Sequence, residues 1–241
     1  MKTANLSSNI DQPTLVSVIV VVKNGEAYLA QALQSIVDQG YAPYEIIVVD
    51  GKSTDRTAEI ARSFHQVKYF WQTTQGLAQA RNQGIAAARG DLIAFLDCDD
   101  VWAPKKLSTQ VEYLEAHSEI MYTITRMRFF QERNHRLRPG FKRESFETGE
   151  VGCTPGALLA RRVVFDRVGG FAPDFAVGGD ADWFARARDK GVPFSVIPEV
   201  LMYKRIHNGN LSADARTNKK ELLTLVRQSI ERKRQTGEDG S

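Results

Sequence analysis

Residues 92–100 read LIAFLDCDD: an apolar run that a sheet would bury, closing on three carboxylates, Asp97, Asp99 and Asp100, within four positions. A short continuous apolar run bounded by turn residues is the pattern of a strand covered on both faces, as in a parallel sheet. Two earlier stretches share it. VSVIVVV (residues 16–22) is a β-branched run apart from Ser17 and is broken by KNGE, and EIIVVD (45–50) ends in the polar turn GKSTD. A shorter strand is expected over Val67 to Trp71. Helical stripes separate these runs. Leu29, Ala32, Leu33, Ile36 and Val37 recur at spacings of three and four, with Gly40 where a C-cap would sit. Ile60, Ala61 and Phe64 form a second stripe behind a cap from Ser53, Thr54 or Asp55. GLAQARNQGIAAARG puts Leu77, Ala80, Gly84, Ala87 and Ala88 on one thin face suited to close packing. Strands alternating with helices predict an α/β fold with a mostly parallel central sheet, and such sheets bind ligands beyond the carboxyl ends of their strands. Those ends are KNGE, DGKSTD and DCDD.

The totals set bounds. At 241 residues, the chain can build one sizeable domain with a C-terminal extension, and a net charge of +3 is too small to mark a surface made for nucleic acid. Cys98 and Cys153 are the only cysteines, too few for a disulfide framework, which points to a reducing, cytoplasmic setting. Residues 1–14 are polar and read as a flexible leader. No apolar run approaches the roughly 20 residues of a spanning helix.

Beyond Asp100 the pattern weakens. A helix is expected from Pro104 to about Ala116, then a strand and loop over the basic, aromatic stretch 126–143, RMRFFQERNHRLRPGFKR. GALLA, RRVVFDRVGGF, ADWFARARDKG and PFSVIPEVLMY read as strand, helix, helix and strand. Residues 219–230 are expected to form an amphipathic helix with Leu222, Leu223, Val226 and Ile230 on one face, which by default packs on its own domain, the other options being a second copy or a membrane surface.

Three close carboxylates raise one another's pKa and need a cation or strong hydrogen bonds. Mg2+ or Mn2+ would supply the cation, each taking hard oxygen ligands and completing its shell with substrate phosphates. The alternative is that Asp99 or Asp100 caps the following helix while Asp97 merely ends a strand. Asp50 ends its strand as Asp97 does, so two carboxylates share one sheet edge where a base or ribose could dock; a lone strand-end Asp can equally be a turn former. Arg81 could pair with either carboxylate or with phosphate, or be an ordinary surface arginine.

In order, SVIVVVKNGEAYLAQALQSIVDQ, EIIVVDGKSTDRTAEIA, GLAQARNQGIAAARGDLIAFLDCDDVWAPKKL, GGDADWFARA and RIHNGNLS resemble the family 2 glycosyltransferases, across Ser17 to Ser212. The resemblance implies a Rossmann-like GT-A domain over 15–212, with a nucleotide-binding half (15–103), an acceptor-binding half (104–212) and a C-terminal helix and tail (213–241). It implies a nucleotide-sugar donor, a UDP-sugar favoured, held by Val21, Lys23, Glu26, Asp50, Gly76, Arg81, Asp97 and Cys98. It also implies Mn2+ or Mg2+ at Asp99, the last carboxylate of the Asp-x-Asp motif, and at His207, with Asp180 as the base that deprotonates an acceptor hydroxyl. Read without the resemblance, Asp180 could be a helix N-cap and His207 a structural histidine. Two positions depart from the family pattern: Gly51 and Lys52 stand where the second strand usually continues Asp-Gly, and Gly179 replaces the Glu that commonly precedes the base.

The activity implied is inverting transfer of one hexosyl or N-acetylhexosaminyl unit to a saccharide or lipid-linked acceptor in cell-surface polysaccharide, glycolipid or glycoconjugate synthesis. The Gln-x-x-Arg-Trp signature of processive synthases is absent. The basic, aromatic stretch could receive an anionic or lipid-linked acceptor, bind single-stranded nucleic acid, or be a solvated loop. Two other functions compete: a sugar nucleotidyltransferase, against which KNGE with its single Gly counts, and a non-catalytic nucleotide-sugar-binding relative. Peripheral membrane contact and a homodimer are the partners the C-terminal helix leaves open.

Overall fold

The computed structural model describes residues 13–131, 143–175, 178–207 and 215–236. Most of the expected leader, residues 132–142 of the basic stretch and the end of RIHNGNLS lie outside them.

VSVIVVV forms β1 (Val16–Val22), buried at every residue, followed by α1 (Leu29–Val37) and β2 (Tyr44–Asp50). Then come α2 (Thr57–Ser63), β3 (Val67–Trp71), α3 (Leu77–Ala87) and β4 (Leu92–Asp97). These four strands run parallel in the order β3-β2-β1-β4, with Val22 opposite Asp50 and Val21 opposite Asp97, so the predicted carboxyl ends share one edge. Alternation explains why β1 is apolar on both faces except at Ser17, whose hydroxyl donates to Glu45. Val16, Val18, Val20 and Val22 pack against Leu29, Leu33 and Ile36 of α1, whereas Ile19 and Val21 point to the opposite layer, with Ala78 and Ala80 of α3. The thin face of α3 has a steric cause: a Cβ on Gly84 would lie 2.4 Å from Cγ2 of Ile19.

The second half contains β5 (Val101–Trp102), α4 (Lys106–Ala116), β6 (Tyr122–Gln131), α5 (Arg143–Glu147), β7 (Glu150–Val151), β8 (Leu158–Arg161), α6 (Val163–Val168), α7 (Gly179–Asp189), β9 (Phe194–Ile206) and α8 (Ala215–Thr236). β8 joins β4 antiparallel, and the sheet continues through β6 and β9 to β5. β5 is two residues long and carries no periodic signal. It nevertheless sets the site, because Val101 pairs with Tyr203 and Trp102 with Met202, drawing the end of β9 alongside the carboxylates that precede β5.

Two expectations fail here. Neither Asp99 nor Asp100 caps the next helix: α4 starts at Lys106, and its N-cap, Lys105, makes no side-chain cap bond. Of the apolar face assigned to the last helix, Leu223, Val226 and Ile230 are all exposed, and the Leu222 side chain lies outside the described residues. α8 instead packs on α7 through buried Leu225 and through polar bonds: Ser229 and Arg232 donate to Asp189, and the Gly178 N–H donates to Glu221 Oε2. Polar anchoring at both ends of α7 decides which face of α8 turns inward.

Candidate active site

Four carboxylates and three cations meet at the carboxyl edge of the sheet. Arg81, on α3, is 2 % exposed and its guanidinium bridges two of them, Nη2 lying 3.0 Å from Asp97 Oδ1 and Nη1 bonding Asp180 Oδ1. Burial opposes the charge on Arg81, but Asp180 and Asp97 more than offset it and raise its pKa. Burial would lift Asp97 too, yet Arg81 and Lys204 hold its pKa below the usual carboxylate value. At Asp180 the balance goes the other way: burial, with the nearby charge of Asp97, outweighs Arg81 and Lys204, so its pKa is raised.

The first turn of α7 distinguishes its two acids. Asp182 is buried and spent within its own helix, accepting from Arg186 Nε at 2.7 Å, whereas Asp180 faces Arg81 across the site. Asp180 is not the N-cap either, since Gly178 occupies that position. The reading of Asp180 as a capping residue is thereby corrected.

Asp99 lies 2.8 Å from His207 Nε2, and the His207 ring leans on Tyr28 at 5.0 Å between centroids. Asp100 is buried, accepts from the Arg205 N–H at 2.9 Å and pairs with Lys204 at 3.4 Å. Burial and the neighbouring Asp99 and Asp97 charges push its pKa up against the pull of Lys204. Arg205 is buried between the Tyr28 and Phe130 rings, and its Nε donates to the Asp99 carbonyl, so it clamps the DCDD turn instead of offering a free cation. Lys204 had no signal in the sequence. Only the pairing of β5 with β9 brings it beside Asp100, and within 3.9 Å of Asp97. Cys98 lies within this turn. Burial and the three adjacent aspartates raise its thiol pKa, which keeps it protonated.

The remaining predicted residues line the first three strand ends. Asp50 is wholly buried, one oxygen accepting from Tyr69 Oη at 2.7 Å and the other from the Ser53 N–H at 2.8 Å. Each carboxylate oxygen keeps a second lone pair. Glu26 braces the second loop, its carboxylate accepting from the Arg56 N–H and its own N–H donating to Asp55 Oδ2. Val21 is buried at the end of β1, and Lys23 is exposed just after it. Gly76 opens α3 at φ +102°, a conformation that favours glycine, and its carbonyl accepts from Gln72 Nε2. The two family departures differ physically. A Cβ on Gly51 would sit 3.0 Å from Gln72 Oε1, so Gln72 fills the place of a side chain there, whereas a Cβ on Gly179 would meet nothing closer than 3.8 Å.

The structure thus brings Arg81, Asp97 and Asp180 into direct contact and pairs Asp99 with His207. Asp50 stands apart, two strands from β4, with its carbonyl accepting from the Gln72 N–H at 2.8 Å. No described helix is long and apolar enough to cross a membrane.

A mostly parallel α/β sheet with acidic strand ends defines the class, and comparison with known proteins places it: residues 17–173 match the family described as Glycosyl transferase family 2, and the chain belongs to that family. It is 30% identical over 228 residues to an uncharacterized glycosyltransferase of Rickettsia typhi, covering 88% of this chain and 70% of the relative. A similar relative in Nostoc sp. is 29% identical over 226 residues, with 86% and 70% covered. A putative teichuronic acid biosynthesis glycosyltransferase, TuaG of Bacillus subtilis, is 35% identical over 109 residues, 43% of each chain. The GT-A fold is shared with the mannosyltransferase PcManGT of Pyrobaculum calidifontis, solved with GDP-Man and Mn2+ (TM-score 0.71, 22% identity, 96% of this chain and 66% of that one). It is also shared with S. aureus TarS 1-349, solved with UDP-GlcNAc (TM-score 0.68, 21% identity, 83% and 61%).

Proposed function

We propose that this chain transfers one hexosyl or N-acetylhexosaminyl unit, with inversion, from a nucleoside diphosphate sugar, UDP-linked by preference, to an acceptor hydroxyl in the synthesis of a cell-surface glycan. One observation carries this: a single edge of the sheet holds the Asp99–His207 pair, which suits a divalent cation, and Asp180, held by Arg81 beside it. A carboxylate with an imidazole suits Mn2+, and Mg2+ sites also commonly use one or two carboxylates and let substrate phosphates fill the remaining positions. When bound there, the metal supplies charge to offset the leaving diphosphate.

The chain's own residues do the rest. Asp50 shapes the loop beside the base by accepting from the Ser53 N–H and Tyr69 Oη, and Gly76 lets the backbone come close to the nucleotide. Arg81 fixes Asp180 Oδ1, leaving Oδ2 to take the acceptor proton as its oxygen attacks the anomeric carbon from the face opposite the diphosphate. The raised pKa of Asp180 strengthens it as a base, provided the pH keeps it ionised. Incubating the protein with UDP- and GDP-sugars and Mn2+ tests the reading. Donor hydrolysis that Asp180→Asn slows at least 100-fold, with nucleotide binding retained, supports it; equal hydrolysis by parent and variant rejects it.

A further inference from the structure

We propose that the outward face of α8 is a membrane-docking surface that lies in the headgroup region of an anionic lipid bilayer. The proposal stands independently of the sugar-transfer reading. α8 has two distinct sides. Glu221, Leu225, Ser229 and Arg232 recur at spacings of four, four and three, and all of them face the body of the protein. Leu225 is buried, Glu221 accepts from the Gly178 N–H, and Ser229 and Arg232 donate to Asp189 of α7. At about 100° per residue, Leu223, Val226, Arg227, Ile230 and Arg234 fall on the opposite side, with Glu231 at its rim. The three apolar side chains there are 55%, 50% and 45% exposed, and both arginines beside them are exposed. Rolling α8 to bury the stripe would break the bonds to α7, so the stripe stays outward.

Charge names the occupant. The sequence of α8 holds seven Lys and Arg against two Glu over its 22 residues. An aliphatic stripe on a helix rich in Lys and Arg is the make-up of helices that lie in a bilayer interface, with the apolar side at the acyl boundary and the cations among anionic headgroups. α8 is too polar to cross the bilayer. A second copy of the chain fits the face worse, on two counts. Three half-exposed aliphatic side chains offer on the order of 200 Å2, whereas a stable interface uses about 800 Å2 per partner. A two-fold contact would also set one basic helix against its identical copy, charge against like charge. A lipid surface requires no matching shape, and anionic headgroups complement the arginines that border the stripe.

Docking on this face also sets where the site lies. α8 stands between the lipid and α7, the helix that carries Asp180, so α7 is held about one helix diameter, roughly 10–12 Å, from the bilayer. The contacts of Glu221, Ser229 and Arg232 at both ends of α7 make that placement rigid.

Co-sedimentation of the whole chain with vesicles tests the proposal, using pure phosphatidylcholine in one arm and equal parts phosphatidylcholine and phosphatidylglycerol in the other. The parent is compared with Leu223→Ser combined with Ile230→Ser, with Arg227→Gln, and with Val163→Ser, which removes an exposed aliphatic side chain of α6 and controls for general stickiness. The urea midpoint of each protein checks its folding, and Arg227→Gln decides the matter if the double variant does not fold. The parent should bind the anionic vesicles at least tenfold more tightly than the neutral ones. The double variant should lose at least tenfold of that binding, Arg227→Gln about fivefold, and Val163→Ser none. No binding by the parent, equal binding to the two kinds of vesicle, or folded α8 variants that bind like the parent overturns the proposal. Sedimentation velocity without lipid covers the other occupant. A dimer formed by the parent and lost in the double variant would assign the face to a second copy and overturn the proposal, whereas monomers in both support it.

Discussion

Replacing Arg81 by Met leaves Asp97 and Asp180 facing each other without the cation that bridges them. Breaking a buried ion pair by removing one partner costs about 3–5 kcal/mol. Here the two carboxylates keep 22% and 26% side-chain exposure, so water relieves part of the penalty and about 2–3 kcal/mol remains. For a chain of this size, that corresponds to roughly 5–10 °C in Tm. Urea unfolding followed by circular dichroism at pH 7 and at pH 5 measures it. The sign of the pH effect is part of the prediction. Without Arg81, both carboxyls have folded pKa values above their unfolded ones, so the penalty is present at pH 7 and shrinks as falling pH protonates them. A loss under about 0.5 kcal/mol, or one equal at both pH values, would show that Arg81 is not the counter-charge of this pair.

Glu45 should govern part of the acid lability. Burial would raise its carboxyl, but hydrogen bonds from Lys68, Ser17 and the Arg89 N–H bring it to about 2 from the ordinary 4.5. That difference is worth about 3 kcal/mol, reduced to about 2 because the Lys68 side chain is 41% exposed. Since the folded pKa is lowered, this stability is present above pH 4.5 and is lost as pH falls towards 2, and Glu45→Gln should flatten the parent's Tm decline across that window. Gly84→Ala should cost about 1–3 kcal/mol by forcing Ile19 aside, read as a lowered urea midpoint with an unchanged m-value. Leu223→Ser combined with Ile230→Ser should change stability by less than about 1 kcal/mol in the same assay, because both side chains are exposed on α8.

The part of the fold from β1 to β4 is legible because its signals are local. Buried β-branched runs and helical stripes mark β1, β2 and β4, and register alone then brings Asp50 and Asp97 to one edge. Asp180 stands out only through the family resemblance; by residue type alone it is indistinguishable from a helix cap. What stayed hidden depends on pairing between distant segments. β5 is too short to show a period, yet it delivers Lys204, Arg205 and His207 to the DCDD turn, with Lys204 pairing Asp100. α8 shows why an apolar stripe does not settle orientation: Glu221, Ser229 and Arg232 meet polar groups of α7, and those bonds turn Leu223, Val226 and Ile230 to solvent. Gln72, filling the space beside Gly51, is likewise visible only in three dimensions.

In the proposed reaction the carboxylates closing β4 bind a metal and a nucleoside diphosphate together. Thermal unfolding of the parent and Asp99→Asn with UDP or GDP, each with and without Mn2+, tests it most directly. At 100 times the dissociation constant, a ligand stabilises by about 2.7 kcal/mol, which is roughly 5–10 °C for a chain of this size. The parent should show that shift only when nucleotide and Mn2+ are both present, and Asp99→Asn should lose it while unfolding normally without ligand. An equal shift in Asp99→Asn, or none in the parent with either nucleotide, would contradict the account.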